Sequence, residues 1–219
     1  MDDVSRRIYE TGVIPVIKLN HPQETAQKLA EVLCCGGLPA AEVTFRAEGA
    51  SEAIRLMRQA RPDLLVGAGT VLSCGQAREA MDAGAQFIVM PGMDEEIVRF
   101  CREKGMPVFP GCSSATDYHT AYRLGLEVLK FFPAETLGGL SRIRALAGPF
   151  PMFRIMPTGG INLDNLEAYL SDPRIFACGG SYMVKESLID GGCWDEIRSL
   201  CEHSADIVRK VRGEKTCQE

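Results

Sequence analysis

The run Glu127-Val128-Leu129-Lys130-Phe131-Phe132-Pro133 is apolar and closed by proline, as a buried β-strand would be, yet it carries an ammonium group in its middle. A strand buried on both faces tolerates a lysine poorly unless the amine has a task or a partner. One task is nucleophilic attack on a carbonyl, for which the amine must shed its proton. The plainer reading is a lysine that snorkels to a sheet edge or pairs with a carboxylate. A second cluster is Glu42-Val43-Thr44-Phe45-Arg46. The period of two puts Glu42, Thr44 and Arg46 on one face of a strand and Val43 and Phe45 on the other. Such a stack either fixes packing as a buried ion pair or moves protons and clamps an anion. A third signal is glycine paired beside a hydroxyl, in Thr158-Gly159-Gly160 and in Gly179-Gly180-Ser181. Exposed N–H groups in such turns, helped by the dipole of a following helix, hold phosphate. Tight turns also use glycine, but a hydroxyl beside both pairs favours the phosphate reading.

These residues need elements to position them. Short apolar runs at 13–18, 41–46, 64–70, 87–91, 107–111, 127–133, 153–158 and 176–180 read as strands, and their ends recur every 20 to 28 residues. Helical patterns lie between them. Asn20 is read as the cap of a helix to Cys35 with Ala26, Leu29, Ala30 and Leu33 on one face. Ser73 and Gly84 bracket another helix, Asp94 precedes a third, Gly125 ends the one after Thr116, and 164–170 is a short one. Strands alternating with helices at this spacing imply parallel strands joined by helical crossovers. Eight such units make an α/β fold of the TIM (β/α)8 barrel type, in one domain spanning 1–219. A helix within 1–12 would cross the N-terminal mouth, and 193–219 would form a C-terminal helix and tail packed outside the last strand. An open doubly wound sheet is the alternative, but no GxGxxG follows the first strand and no phosphate-loop motif occurs.

In a barrel, active sites gather at the C-terminal ends of the strands. The second and sixth strands would aim Glu42 and Lys130 at one cavity, with Val128 and Phe132 on the face of Lys130. Thr70, after the glycines Gly67 and Gly69, shares a face with Val66 and Ala68. The ends at Met90-Pro91-Gly92 and Phe109-Pro110-Gly111 read as turns.

The bulk numbers exclude other classes. A net charge of −5 lacks the basic footprint of nucleic-acid binding. No apolar run approaches the roughly 20 residues of a membrane span. The N-terminus, Met1-Asp2-Asp3-Val4-Ser5-Arg6-Arg7, is charged and has no apolar core of the signal-peptide kind. The nine cysteines show no CxxC pair and no Cys/His ladder, so they read as reduced thiols of a cytoplasmic protein rather than zinc ligands or disulfides.

Taken in order, Glu42-Val43-Thr44-Phe45-Arg46, Gly67-Ala68-Gly69-Thr70, Lys130-Phe131-Phe132-Pro133-Ala134-Glu135, Gly148-Pro149-Phe150 and Pro157-Thr158-Gly159-Gly160 give a specific match. The chain resembles, from about residue 8 to 200, the class I aldolases that cleave 2-keto-3-deoxy-6-phosphogluconate, grouped with 4-hydroxy-2-oxoglutarate aldolase. The resemblance implies a homotrimer of barrels acting on a sugar acid phosphate and releasing pyruvate, with no metal and no cofactor. It implies Lys130 as the Schiff-base lysine and Glu42 as the general acid/base. Arg46, Thr70 and Pro91 would surround the pyruvyl carboxylate and the catalytic carboxylate. Phe132 would be an aromatic wall and Thr158 a pyruvyl contact. Gly159, Gly160, Gly179, Gly180 and Ser181, with Lys18 where the family often has arginine, would hold phosphate. Gly111-Cys112-Ser113-Ser114 departs from the family's Gly-x-Ser/Met-Thr. Three readings stay open beside the gluconate-series substrate: the galactonate-series aldol, a phosphate-binding barrel without covalent chemistry, and a barrel that only senses a sugar acid phosphate.

Overall fold

The computed structural model describes residues 1–213. Eight parallel strands run in chain order: β1 Val13–Ile17, β2 Ala40–Thr44, β3 Leu65–Gly69, β4 Ile88–Val89, β5 Val108–Phe109, β6 Val128–Phe131, β7 Arg154–Pro157 and β8 Cys178–Gly180. Six of them hydrogen-bond in the order β5-β4-β3-β2-β1-β8, and β6 pairs with β7. Two short seams close the ring. Lys130 bridges Gly111, with its N–H donating to Pro110 O at 3.0 Å and its carbonyl accepting from Cys112 N at 2.8 Å, which joins β5 to β6. Thr158 bridges Gly179 and Ile155 bridges Ile175, which joins β7 to β8. The result is the expected (β/α)8 barrel, in which each strand among the described residues has a neighbour on both sides.

The helices are α1 Asp3–Thr11, α2 Pro22–Cys35, α3 Ala50–Ala60, α4 Cys74–Asp82, α5 Glu95–Glu103, α6 Ala115–Arg123, α7 Gly139–Ala147, α8 Leu163–Leu170, α9 Glu186–Asp190 and α10 Trp194–Gly213. Side-chain caps fix several starts: Ser73, Asp94 and Ser114 each accept from an N–H three residues on. One expectation fails at α2. Its N-cap is His21, with Pro22 in the first turn and no side-chain cap, while Asn20 donates instead to Glu186 and Asp190. Helices α3, α7 and α9 were not picked out from the sequence. The tail read to 219 ends, as far as described, at Gly213 of α10, and 214–219 lie outside the described residues.

Two apolar cores follow from the alternation of each strand. Outward residues such as Val43, Val66, Ala68, Leu129 and Phe131 pack under the helices together with Ala26, Leu29, Ala30 and Leu33. Inward residues Ala40, Leu65, Phe87, Phe109, Val128 and Met156 fill the lower barrel. Ile8 of α1 is fully buried among them, which seats α1 against the inner core. This apolar floor stops one inward step short of the catalytic-face residues: Ala40 is followed inward by Glu42, and Val128 by Lys130. No helix among the described residues is long and apolar enough to cross a membrane.

Candidate active site

Glu42 on β2 and Lys130 on β6 meet inside the barrel. Nζ of Lys130 lies 3.3 Å from Oε1 of Glu42, and the side chains are 5% and 1% exposed. Two features of the chain make room for this. The Glu42 carboxylate lies across β3 at Gly69, where a Cβ would stand 2.2 Å from Oε1, so only glycine fits. The floor of apolar side chains beneath denies both groups water from below, which strengthens their interaction. The second carboxylate oxygen, Oε2, is buried without a hydrogen-bond partner among the described residues. A carboxylate with one oxygen on the amine and one free can take a proton from the amine and pass one on.

Around this pair the other candidates fall at the strand ends. Phe132 follows β6, half in solvent, with its ring centroid 5.2 Å from Nζ of Lys130, where the π-face favours a cation. Pro91, in the loop after β4, packs its carbonyl on Gly111, whose partner across the seam is Lys130. Thr44 donates its hydroxyl to Ile17 O at 2.8 Å and lies 3.4 Å from Nε of Arg46. Arg46 itself is not on the strand, as the period of two required. β2 stops at Thr44, and Arg46 sits exposed in the turn that follows. Thr70 is likewise off the expected face. Val66 and Ala68 point to the helix layer, and Thr70 leaves the strand with φ of 55°. A non-glycine residue in the left-handed region carries strain, of the kind that clusters at functional sites.

The loops after β6 and β7 are stitched together. Ala134 N–H donates to Thr158 O at 2.8 Å, and Glu135 N–H to Gly159 O at 3.1 Å. Glu135 also accepts from the hydroxyl of buried Tyr169. Gly159 and Gly160 hold φ of 98° and 84°, and a Cβ at Gly160 would strike Glu135 at 2.5 Å. This turn matches the expected geometry. The second glycine pair does not. Gly179 and Gly180 lie within β8, buried and in register with Ile14 and Pro15, so they are no exposed turn. They allow close packing: Thr158 Oγ1 is buried without a hydrogen-bond partner among the described residues, and a Cβ at Gly179 would stand 2.4 Å from it. Ser181, exposed, is the first residue beyond the strand. Lys18, just past β1, is bound by Glu186, with Nζ to Oε2 at 2.8 Å.

Glu186 and Tyr169 lie outside the motifs quoted from the sequence, and Glu135 closes one of them without having been given a role. The cysteines within the described residues are free, and burial pushes Cys101, Cys178 and Cys201 up to about 12. No group of three His, Cys, Asp or Glu among the described residues could hold a metal ion. A cavity of about 700 Å3 at the opposite mouth is lined by Met1, Arg102, Glu127, Arg154 and Phe176 among others, but its charged side chains are exposed and come singly.

A model of the KDPG and KHG aldolase family matches residues 4–200. A 2-dehydro-3-deoxy-phosphogluconate aldolase of Haemophilus influenzae is 43% identical over 206 residues, covering 94% of this chain and 97% of that protein. The 2-keto-3-deoxy-6-phosphogluconate aldolase of Zymomonas mobilis, solved with 3-phosphoglycerate, superposes with a TM-score of 0.88 at 34% identity, covering 94% of this chain and 96% of that one. A KDPG aldolase from Legionella pneumophila, solved with pyruvate captured as a covalent carbinolamine, gives 0.87 at 36% identity, covering 92% and 97%.

Proposed function

The chain belongs to the KDPG and KHG aldolase family, and from that premise we propose that it is a Schiff-base lyase that cleaves 2-keto-3-deoxy-6-phosphogluconate to pyruvate and glyceraldehyde 3-phosphate. The unphosphorylated 4-hydroxy-2-oxoglutarate, which gives pyruvate and glyoxylate, is a second substrate. The observation that carries this reading is the buried contact of 3.3 Å between Lys130 Nζ and Glu42 Oε1. The carbinolamine held by the Legionella relative, which is the adduct of an amine with a ketone, supports it.

The chemistry explains the residue types. Breaking the C3–C4 bond of a 4-hydroxy-2-keto acid leaves an electron pair on C3 that water does not stabilise. Lys130 hands its proton to Glu42 and adds to the C2 ketone. The carbinolamine leaves its hydroxyl as water, protonated by Glu42, and becomes an iminium ion. Glu42 removes the C4 hydroxyl proton, directly or through a water. The aldehyde then departs as the C3–C4 pair flows into the iminium nitrogen. The resulting enamine is protonated at C3, and water adding at C2 releases pyruvate and frees the lysine. The imine is the electron sink, so the chain's own side chains suffice.

The remaining roles are positional. Arg46 clamps the C1 carboxylate, with Thr70 and Pro91 beside it. Phe132 walls the site and Thr158 meets the pyruvyl group. Gly159, Gly160 and Ser181 take the distal phosphate, while Gly179 and Gly180 act by letting β7 and β8 approach. The working form is a cytoplasmic homotrimer. Leu72 and Leu137, 62% and 39% exposed, support a second copy packing beside the strand ends. A coupled pyruvate-release assay tests the activity against the gluconate-series phosphate, its galactonate-series isomer and 4-hydroxy-2-oxoglutarate. Pyruvate should appear fastest from the first. Failure to release it from any of the three would contradict the proposal.

A further inference from the structure

The aldolase reading leaves one strong contact at the site unused. β1 and β8 end side by side, with Pro15 in register with Gly180, so Lys18 and Ser181 stand just beyond adjacent strand ends. This is the corner where the substrate's far end would lie. Lys18 is a cation there, and it is already taken: Nζ lies 2.8 Å from Glu186 Oε2 at the start of α9. Asn20 Nδ2 donates to the same oxygen at 3.1 Å and reaches Asp190 Oδ2 at 3.4 Å. The hydrogen bonds from Lys18 and Asn20, with the nearby charges of Lys18 and Arg46, hold the Glu186 carboxyl below its ordinary range. Glu186 is therefore an anion at neutral pH, within electrostatic reach of the arginine assigned to the substrate carboxylate. The pair is 31% and 47% exposed, so a ligand can reach it and break it at small cost.

We infer that Glu186 is a specificity-determining residue, which weakens the preference for a phosphorylated substrate by occupying Lys18 and setting a negative charge beside the phosphate position. This inference rests on the aldolase reading. A phosphate dianion can recruit Lys18 only by evicting a carboxylate, and it then sits beside that carboxylate. The uncharged donors, Ser181 and the Gly159–Gly160 turn, are not opposed in this way. A substrate without phosphate loses little, because it makes no claim on Lys18. The consequence is an aldolase more tolerant of unphosphorylated acids than its cation count suggests.

The test compares 2-keto-3-deoxy-6-phosphogluconate with 2-keto-3-deoxygluconate, the same acid without phosphate, on the whole chain. KM is measured, or KI where turnover is too slow, for the unmodified protein, Glu186→Gln, Lys18→Met and the double variant. Glutamine keeps the hydrogen bonds and removes the charge. Glu186→Gln should lower KM for the phosphorylated acid about threefold with kcat unchanged, the scale of one exposed charge pair. It should shift KM for the unphosphorylated acid far less, since that acid meets Glu186 only through the more distant Arg46. High salt should erase the gain, and the double variant should lose most of it. The inference is overturned if KM for both acids shifts together, if KM for the phosphorylated acid stays or rises, or if the double variant gains as much as the single one. No pyruvate from either acid with the unmodified chain removes the aldolase reading and the inference with it. Pyruvate release with an unresponsive Glu186→Gln removes the inference alone.

Discussion

At the residue scale, the pairing of a lysine with a carboxylate separates chemistry from packing. Glu42 gives one carboxylate oxygen to Lys130, and no group among the described residues partners the other, which leaves it open to a substrate proton. Glu42→Gln should therefore lower kcat about 10²- to 10⁴-fold, the usual worth of a positioned general acid/base, with a much smaller change in pyruvate affinity. Steady-state kinetics and pyruvate titration check this, and equal loss in both would give Glu42 a structural role. Lys130 and Glu42 were legible because a charge in an apolar strand is conspicuous and the period of two fixes its face. Arg46 and Thr70 were legible by type but not by position. Their strands stop early, and a positive φ at Thr70 breaks the alternation on which the reading relied. Glu186 was not legible, since a glutamate opening a short helix is ordinary until the fold brings Lys18 to it.

At the element scale, the repeat of strand and helix was readable from spacing and turn residues, as were most helix stops. The two-residue strands β4 and β5 were read too long, because a strand's length is set by its pairing and not by its apolar run. The Gly179-Gly180 pair, read as an exposed turn, lies in a buried strand end for a similar reason. Glycine marks both exposed turns and tight strand packing, and only the approach of Thr158 distinguishes them. The helices also carry a charge device away from the site. Asp172, just past α8, has a side chain 2% exposed, with Arg144 of α7 at 2.7 Å and Arg174 at 3.6 Å. Burial alone would raise its carboxyl, but the hydrogen bonds from Arg144 and the Arg174 N–H outweigh this and hold it below 3.8. A depressed carboxyl stabilises the fold above its unfolded value and loses that contribution as pH falls through the folded one. Asp172→Asn should cost about 1–3 kcal/mol near neutral pH, modest because both arginines are half in solvent. Urea denaturation should show the gap shrinking below about pH 4. A gap unchanged into that range would contradict the assignment.

At the scale of the whole molecule, closure is what turns separate motifs into a site. Glu42 and Lys130 are 88 residues apart, and they meet only because the seams at Gly111–Lys130 and Thr158–Gly179 complete the ring. The barrel was legible from the repeat, but the seams were not, because they consist of isolated backbone bridges with no side-chain signature. A helix within 1–12 was anticipated, though not its anchor. Ile8 is fully buried in the inner core, and Ile8→Ala should destabilise the fold by about 2–4 kcal/mol in urea denaturation, as cavity-forming substitutions do. A loss under about 0.5 kcal/mol would mean that α1 only rests on the mouth. The most direct test of the whole account is borohydride reduction of the chain in the presence of pyruvate, followed by peptide mass spectrometry. The expected result is a reduced pyruvyl adduct on Lys130, with activity abolished, and neither adduct nor activity in Lys130→Ala. No adduct, an adduct on another lysine, or full activity in Lys130→Ala would contradict it.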